Sequence, residues 1–572
     1  MLRLRVGFIL IAMVVSVFGA RLFQLQGIDP KAYAARAEAV GLQTITLPAT
    51  RGSIVDRNGE PLAESADGLM VVADPMMTVD DAREIARIVA EDLDVDYFET
   101  LDRLRRPDTR FQYLARRVPA PDARALVERL EELGYEGVDT RRDPVRSYPS
   151  DDVAANVVGF VAGDGEAKQG FEKIFDQQLA GKDGTATYET GGGQRLPLGD
   201  NSVDPPVDGE DLTLTIDRDV QWYTQRVLRQ AVEDARGESG SAVVLDSRTG
   251  EILALADHPT FDANQPMLAS KNDMWPRSLF DVYEPGSVQK VLTAASLVDA
   301  GKVTPDTRIT VPGQIQRQDR TIGDYWDHGR LRLTLTGVIA KSSNIGTVLA
   351  ADEFSPKELY DYLSGFGLGQ VPGLGYPGES GGLLPSWKTW SQINQDTIAF
   401  GQGVSVTALQ MATAVNAIAN GGVLVEPSLV KGSATTSGGA VVGTETSSSR
   451  RVVSESAARM TAEMMEAVTD PEEGTAPAAA IEGYRVAGKT GTAQRVGEEC
   501  GCYDGTFTVS FAGFAPADDP RFVVYVVVQD PKNGGGGGSI GGPAFHEIMS
   551  YLLRKYAVPP TGAPAPDNPV EW

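Results

Sequence analysis

Ser287 and Lys290 sit one helical turn apart in Pro285-Gly286-Ser287-Val288-Gln289-Lys290, and Val288, Val291, Leu292 and Ala295 recur at helical spacing. The pattern predicts an amphipathic helix that opens at Ser287 and closes at Gly301, with the serine and lysine on one edge of its first turn. Such a pair suits acyl transfer. A serine hydroxyl is a poor nucleophile until a base takes its proton, and lysine is that base only if burial or a neighbouring cation lowers its pKa from about 10.4 toward neutrality. Free N–H groups at a helix N-terminus also favour developing negative charge. Alone the spacing is weak, since chance supplies about one or two Ser-x-x-Lys stretches in a chain this long.

Two further stretches add to it. Lys341-Ser342-Ser343-Asn344-Ile345-Gly346-Thr347 offers a hydroxyl and a carboxamide on a turn flanked by apolar helical sequence. Lys489-Thr490-Gly491-Thr492 ends the alternating run Tyr484-Arg485-Val486-Ala487-Gly488, which reads as a strand carrying a cation and two hydroxyls.

The elements that must position these residues follow from the sequence around them. A helix over Val220 to Ala235 precedes a hairpin of Ala242–Leu245 and Ile252–Leu255. Thr506 to Phe514 and Arg521 to Gln529 form another hairpin, and a last helix runs from about Ala544 to Tyr556. Strands from both ends with helices between predict an α+β domain, an antiparallel sheet flanked by helices, with Ser287 facing the Lys489 strand at the sheet edge. Upstream, Asn58-Gly59 marks a hairpin turn, and amphipathic helices are expected over Asp80 to Leu93 and Pro121 to Leu133. Gly170-Phe171-Glu172-Lys173, the glycine-rich Glu189 to Gly193 and the turn Asp208-Gly209-Glu210 lead to a strand from Leu212 to Ile216, where the domain boundary is placed. The segment before it reads as a small mixed α+β module. Lys431 to Ser449 reads as a loop, the Pro-rich end from Pro559 as a disordered tail, and Asn533 to Gly542 as a flexible loop.

A chain of 572 residues has room for two or three domains. With 52 Lys+Arg against 78 Asp+Glu, the net charge of -26 removes the electrostatic footing for general nucleic-acid binding. Cys500 and Cys502 are the only cysteines and His258, His328 and His546 are far apart, so no zinc-site spacing exists and no metal or cofactor is expected. Cys500-Gly501-Cys502 reads equally as a tight disulfide or as two thiols. Arg3 and Arg5 precede an uncharged apolar run from Val6 to Ala20, followed by Arg21, Leu22 and Phe23. That reads as one membrane anchor, with the first residues cytoplasmic and everything after about Gln24 outside. A cleaved signal peptide is the alternative, although Phe18 would occupy the −3 position where a small residue is wanted.

The three motifs in order, the Arg51-Gly52 to Asp56-Arg57-Asn58-Gly59 block, Gly170-Phe171-Glu172 and Phe400-Gly401-Gln402-Gly403-Val404-Ser405 together resemble the class B penicillin-binding proteins. Lys489 to Gln494, Cys500 to Tyr503 and Gly513 to Ala517 are most similar to the division-specific FtsI type of actinobacteria. The chain departs at Ala408, where the family usually has proline, in its short N-terminal tail, and in the glycine-dominated loop before Pro543. The resemblance implies a cytoplasmic tail (1–5), a transmembrane anchor (6–23), a pedestal of dimerisation type (24–211), a penicillin-recognising serine transpeptidase domain (212–557) and a Pro-rich tail (558–572). It implies that Ser287 is acylated by D-Ala-D-Ala stem peptides of peptidoglycan, with Lys290 as general base and Ser342 as proton relay to the leaving amine. Asn344 would bind Lys290 and the substrate amide, and a positively charged Lys489 would help keep Lys290 neutral. Thr490 and Thr492 beside Gly491 would hold the substrate carboxylate, and the backbone N–H groups of Ser287 and Thr492 would form an oxyanion hole. β-Lactams, the glycan polymerase FtsW, other division proteins and the cytoplasmic membrane are the implied partners. A D,D-carboxypeptidase, a β-lactamase, or a non-catalytic scaffold or β-lactam sensor would share parts of this pattern.

Overall fold

The computed structural model describes residues 2–24, 42–107, 109–191, 194–195, 201–497 and 501–572; Cys500 and the Gly192-Gly193 pair lie outside them. A helix spans Leu2–Phe23, and its Arg5–Phe23 segment is long and apolar enough to cross a membrane. Phe8, Ile9, Val15 and Phe18 on it are largely exposed, an arrangement that suits lipid rather than water.

Contacts divide the chain into two compact units. The first comprises Met1–Arg51, Ser65–Val145 and Ala180–Glu210, and the second Gly52–Glu64, Arg146–Leu179 and Asp211–Trp572. In the first, Gly68–Ala73 is the central strand between Gln112–Pro119 and Val138–Arg142, all antiparallel. The expected helices are present as Ala82–Leu93 and Ala120–Glu132. A third, Tyr97–Leu104, lies between them and is started by Asp96, whose side chain accepts from the Glu99 N–H. Ile85, Val89, Leu104, Leu126 and Leu130 close the core over that sheet.

The second unit is built on a five-stranded antiparallel sheet in the order Ile252–His258, Ser239–Asp246, Phe522–Gln529, Tyr503–Ala515, Ala487–Val496. Phe522–Val528 is an unbroken apolar, largely β-branched run with every residue buried, as a central strand covered on both faces requires. Helices Arg218–Ala235 and Gly542–Lys555 pack together on the sheet; Ala408–Ala419 and Glu455–Glu466 form another layer with the helix Gln289–Asp299. That last helix is buried from Gln289 to Val298 and is not amphipathic as expected, because other helices surround it.

The segment 52–64 belongs to this unit through Ile54–Val55, which pairs in parallel with Leu212–Thr213. Asp56 accepts from the backbone N–H groups of Asn58, Glu60 and Arg218 at 2.7–3.0 Å. In the segment 146–179, Glu172 is fully buried and paired with Arg146 at 2.6 Å, while Phe171 and Phe175 enter the main core.

Two expectations are corrected here. The end of the Pro-rich tail is docked rather than disordered: Thr334 N–H donates to the Val570 carbonyl (3.0 Å), Trp572 N–H donates to the Arg332 carbonyl (3.1 Å), and Glu571 bridges Leu333. The edge of the short strand Leu331–Thr334 was open to a further strand, and the Trp572 ring lies 5.1 and 5.5 Å from the Arg308 and Arg332 guanidinium carbons. The glycine run is also fixed. Its π-helical turn Gly537–Gly541 lies so close to the Lys489 strand that a Cβ on Gly537 would sit 2.2 Å from the Ser510 carbonyl oxygen and 2.6 Å from that of Gly491. Glycine is required there for close approach and not for flexibility.

Removing residues 569–572 should cost about 1–3 kcal/mol from the lost backbone hydrogen bonds and cation–π contacts. The thermal midpoint of the detergent-solubilised protein should fall by a few degrees; an unchanged midpoint would show that the tail does not hold on in solution.

Candidate active site

Ser287 lies on a 3-10 turn, Gly286–Val288, that runs straight into the helix Gln289–Asp299. The turn packs against the strand Ala487–Val496, so Lys489-Thr490-Gly491-Thr492 sits within an edge strand and not at its end. Close approach dictates the glycines. A Cβ on Gly286, at φ 54°, would meet the Thr492 carbonyl oxygen at 3.2 Å, and one on Gly491 would fall 2.2 Å from Ser510 Oγ and 3.0 Å from Val288 Cγ2. Ser342-Ser343-Asn344 forms the junction between the helices Leu335–Ala340 and Asn344–Ala351. Ser342 adopts a left-handed backbone (φ 60°), an unusual state for a residue with a side chain, and its carbonyl accepts a hydrogen bond from Lys290 Nζ at 2.5 Å.

Four of the expected residues meet directly. Lys290 Nζ also donates to Asn344 Oδ1 at 2.7 Å and lies 3.4 Å from Ser342 Oγ. Lys489 Nζ donates to the same Ser342 Oγ at 2.8 Å and to Thr490 Oγ1 at 3.3 Å. Asn344 Nδ2 donates to the Gly323 carbonyl (3.1 Å), which turns its oxygen toward Lys290. Thr492 is exposed, and its Oγ1 accepts from the Gly537 N–H at 3.4 Å. Ser287 is half-buried, and among the described residues its hydroxyl has no hydrogen-bond partner.

Both lysines are fully buried. Burial pushes Lys290 down to about 7, against a smaller opposing pull from Asp324. Lys489 is pushed well below the ordinary lysine value by burial and, second, by the Lys290 cation. The desolvation that makes Lys290 a base thus acts on Lys489 in the same direction. Two ammonium groups do not share one hydroxyl at this depth. The site can therefore hold a neutral amine at neutral pH one helical turn from an unengaged serine hydroxyl, the pair that making an acyl ester requires.

Sequence reasoning missed Asp324. Its buried carboxylate accepts from Ser343 Oγ (2.7 Å) and from the Asn344 and Ile345 N–H groups (2.5 and 3.1 Å). Asp324 and His328 four residues later in Gly323-Asp324-Tyr325-Trp326-Asp327-His328 were the available signal, but nothing local ties them to Ser343. Glu284 was missed too; it accepts from the Gly403 N–H (2.8 Å) and the Tyr503 hydroxyl (2.9 Å). Cys502, next to Tyr503, is disulfide-bonded, which decides between the two readings left open.

A lysine held at about 7 against an unfolded value near 10.4 destabilises the fold fully below pH 7, and the cost disappears as pH rises through 10.4. The stability of Lys290→Met relative to the parent should thus shift in the variant's favour by about 3 kcal/mol between pH 9.5 and pH 7. Denaturant unfolding at both pH values measures it, and a constant difference would show that the amine is solvated.

Comparison with known proteins agrees with this geometry. Residues 240–550 match the penicillin-binding protein transpeptidase domain, and residues 46–214 the penicillin-binding protein dimerisation domain. The chain is 38% identical over 603 residues to the penicillin-binding protein PbpB of Mycolicibacterium smegmatis, covering 99% of this chain and 92% of that one. It is 35% identical over 549 residues to the peptidoglycan D,D-transpeptidase FtsI of Escherichia coli, covering 94% and 89%. Among solved structures, penicillin-binding protein 3 of Mycobacterium tuberculosis complexed with aztreonam superposes with a TM-score of 0.71 at 32% identity, covering 92% of this chain and 100% of that one. Two family domains in sequence and relatives aligned over nearly the whole chain place it plainly: the chain belongs to the class B penicillin-binding proteins, of the FtsI type.

Proposed function

We propose that the protein is a peptidoglycan D,D-transpeptidase that cross-links stem peptides through an acyl-enzyme on Ser287. The observation that carries this reading is the network in which Lys290, Ser342, Asn344 and Lys489 converge one helical turn from Ser287. Neutral Lys290 takes the Ser287 proton as Oγ attacks the penultimate D-Ala carbonyl. The N–H groups of Ser287 and Thr492 hold the oxyanion, each such donor being worth roughly 3 kcal/mol. Ser342, linked to both amines, passes a proton to the leaving nitrogen as the C–N bond breaks and D-Ala departs. Thr490 and Thr492 receive the substrate carboxylate, and the outer edge of the strand Ala487–Val496 supports an extended peptide beside Gly491. An amine from a second stem peptide then attacks the ester and frees Ser287. A β-lactam would acylate the same hydroxyl.

The helix Leu2–Phe23 anchors the chain in the cytoplasmic membrane in this proposal, with Arg3 and Arg5 inside and the catalytic domain outside. The module between anchor and catalytic domain carries none of the three motifs, and we assign it, with the membrane helix, to binding the glycan polymerase FtsW and other division proteins. Septal wall synthesis is the setting this implies.

Labelling with a fluorescent penicillin and mapping the peptides by mass should place one adduct, on Ser287; an adduct on Ser342 would overturn the assignment. Because the neutral amine is the working form, the labelling rate should fall about tenfold per pH unit below pH 7 and level off above it. Cross-linked dimers from stem-peptide substrates are the expected product, whereas free tetrapeptide alone would make the protein a D,D-carboxypeptidase.

A further inference from the structure

Asp324 stands between two groups of opposite kind. On one side it closes the second motif: Ser343 Oγ and the Asn344 and Ile345 N–H groups all donate to it, filling the first turn of the helix Asn344–Ala351. On the other, His328 Nε2 lies 2.9 Å from its Oδ2, while His328 Nδ1 lies 2.7 Å from the Gly329 carbonyl oxygen. Both ring nitrogens face acceptors. A neutral imidazole has a single N–H, so both contacts are hydrogen bonds only when each nitrogen carries a proton. The side chains of Asp324 and His328 are 0% and 5% exposed, so this contact is shielded from solvent.

We propose that Asp324, held by a protonated His328, is a positioning residue for acyl transfer that seats Asn344 and bears electrostatically on Lys290 through it. The proposal rests on the transpeptidase reading above and names what orients its second motif. Asn344 joins the two ends, since its N–H binds Asp324 while its side-chain oxygen binds Lys290 Nζ. The charged groups around this path come from several elements: Lys489 on the strand Ala487–Val496, His328 and Tyr325 on the Asp324 loop, and Lys341, paired with Glu473 at 2.5 Å. Asp324 is the one carboxylate among the resolved influences on Lys290, and it opposes the effect of burial. Without its charge the lysine would lose its proton at lower pH still. Without the imidazolium, the carboxylate would act on Lys290 unopposed and hold its proton to higher pH.

The test is the pH profile of fluorescent-penicillin labelling by full-length enzyme in detergent, for the parent, Asp324→Asn and His328→Gln, with a melting curve for each. Opposite displacements are expected: the acid limb of Asp324→Asn should move down and that of His328→Gln should move up, each by on the order of one pH unit for a unit charge acting across one intervening residue. A purely structural role would lower the plateau in both variants and leave the limbs in place, and that result overturns the proposal. Should Asp324→Asn fail to fold, His328→Gln decides alone, an upward limb supporting the proposal and an unmoved one overturning it. Failure of the underlying reading looks different, because then the parent itself lacks a Ser287 adduct or Lys290→Ala labels as fast as the parent.

Discussion

Two buried lysine amines held on one serine hydroxyl set the terms for the rest of the catalytic unit. Lys290 and Lys489 approach Ser342 Oγ from a helix and a strand, and neither is exposed to water. An ammonium at that depth is costly, so the arrangement persists only if the surrounding core is large enough to carry the cost. The helix bearing Lys290 is accordingly enclosed on all sides, and the sheet behind Lys489 has a central strand buried along its length. The cost and the chemistry have the same origin, since the desolvation that destabilises the fold also produces a base at neutral pH.

Precision at this site comes from backbone. Glycines at 491 and 537 leave no room for a Cβ, Gly286 leaves little and has a left-handed backbone, and together they bring the nucleophile turn, the Lys489 strand and the glycine-rich turn into direct contact. Ser342 contributes the reverse device, a side-chain-bearing residue in a left-handed conformation whose carbonyl reaches Lys290. The composition of 533–542 suggests mobility because glycine is the residue of flexible linkers, yet the same absence of side chains permits close packing.

What was legible in the sequence follows the range of the interaction. The hairpins built on Ser239–Asp246 with Ile252–His258 and on Tyr503–Ala515 with Phe522–Gln529 announce themselves by local periodicity, and so do the helices around the second motif. Ser287, Lys290, Ser342, Asn344 and Lys489 could be singled out because each motif is compact. Asp324 could not, because its contacts to Ser343 and Asn344 come from a different loop. The docked tail was missed for a related reason: proline-rich composition describes what a segment does alone, and Trp572 is held by arginines far away in sequence.

The parallel pairing of Ile54–Val55 with Leu212–Thr213 brings a different consequence, for assembly. Ser53 N–H bonds to Asp211 across 158 positions of chain, and the segment 65–145 between them belongs to the other compact unit. As the chain emerges from the ribosome, Ile54–Val55 can pair at once with Pro61–Ala66, but its other edge has no strand to join until Leu212 has been made, so this sheet stays incomplete while the intervening unit takes shape. Contacts of such long range come late and slowly, because the loop must close before it returns any stabilisation. A fragment started at Asp211 would skip that wait, but it would leave the Leu212–Thr213 edge unpaired and remove Phe171 and Phe175 from the core. In this chain the catalytic unit is contiguous in space and not along the polypeptide, so no single cut before its sheet yields it whole.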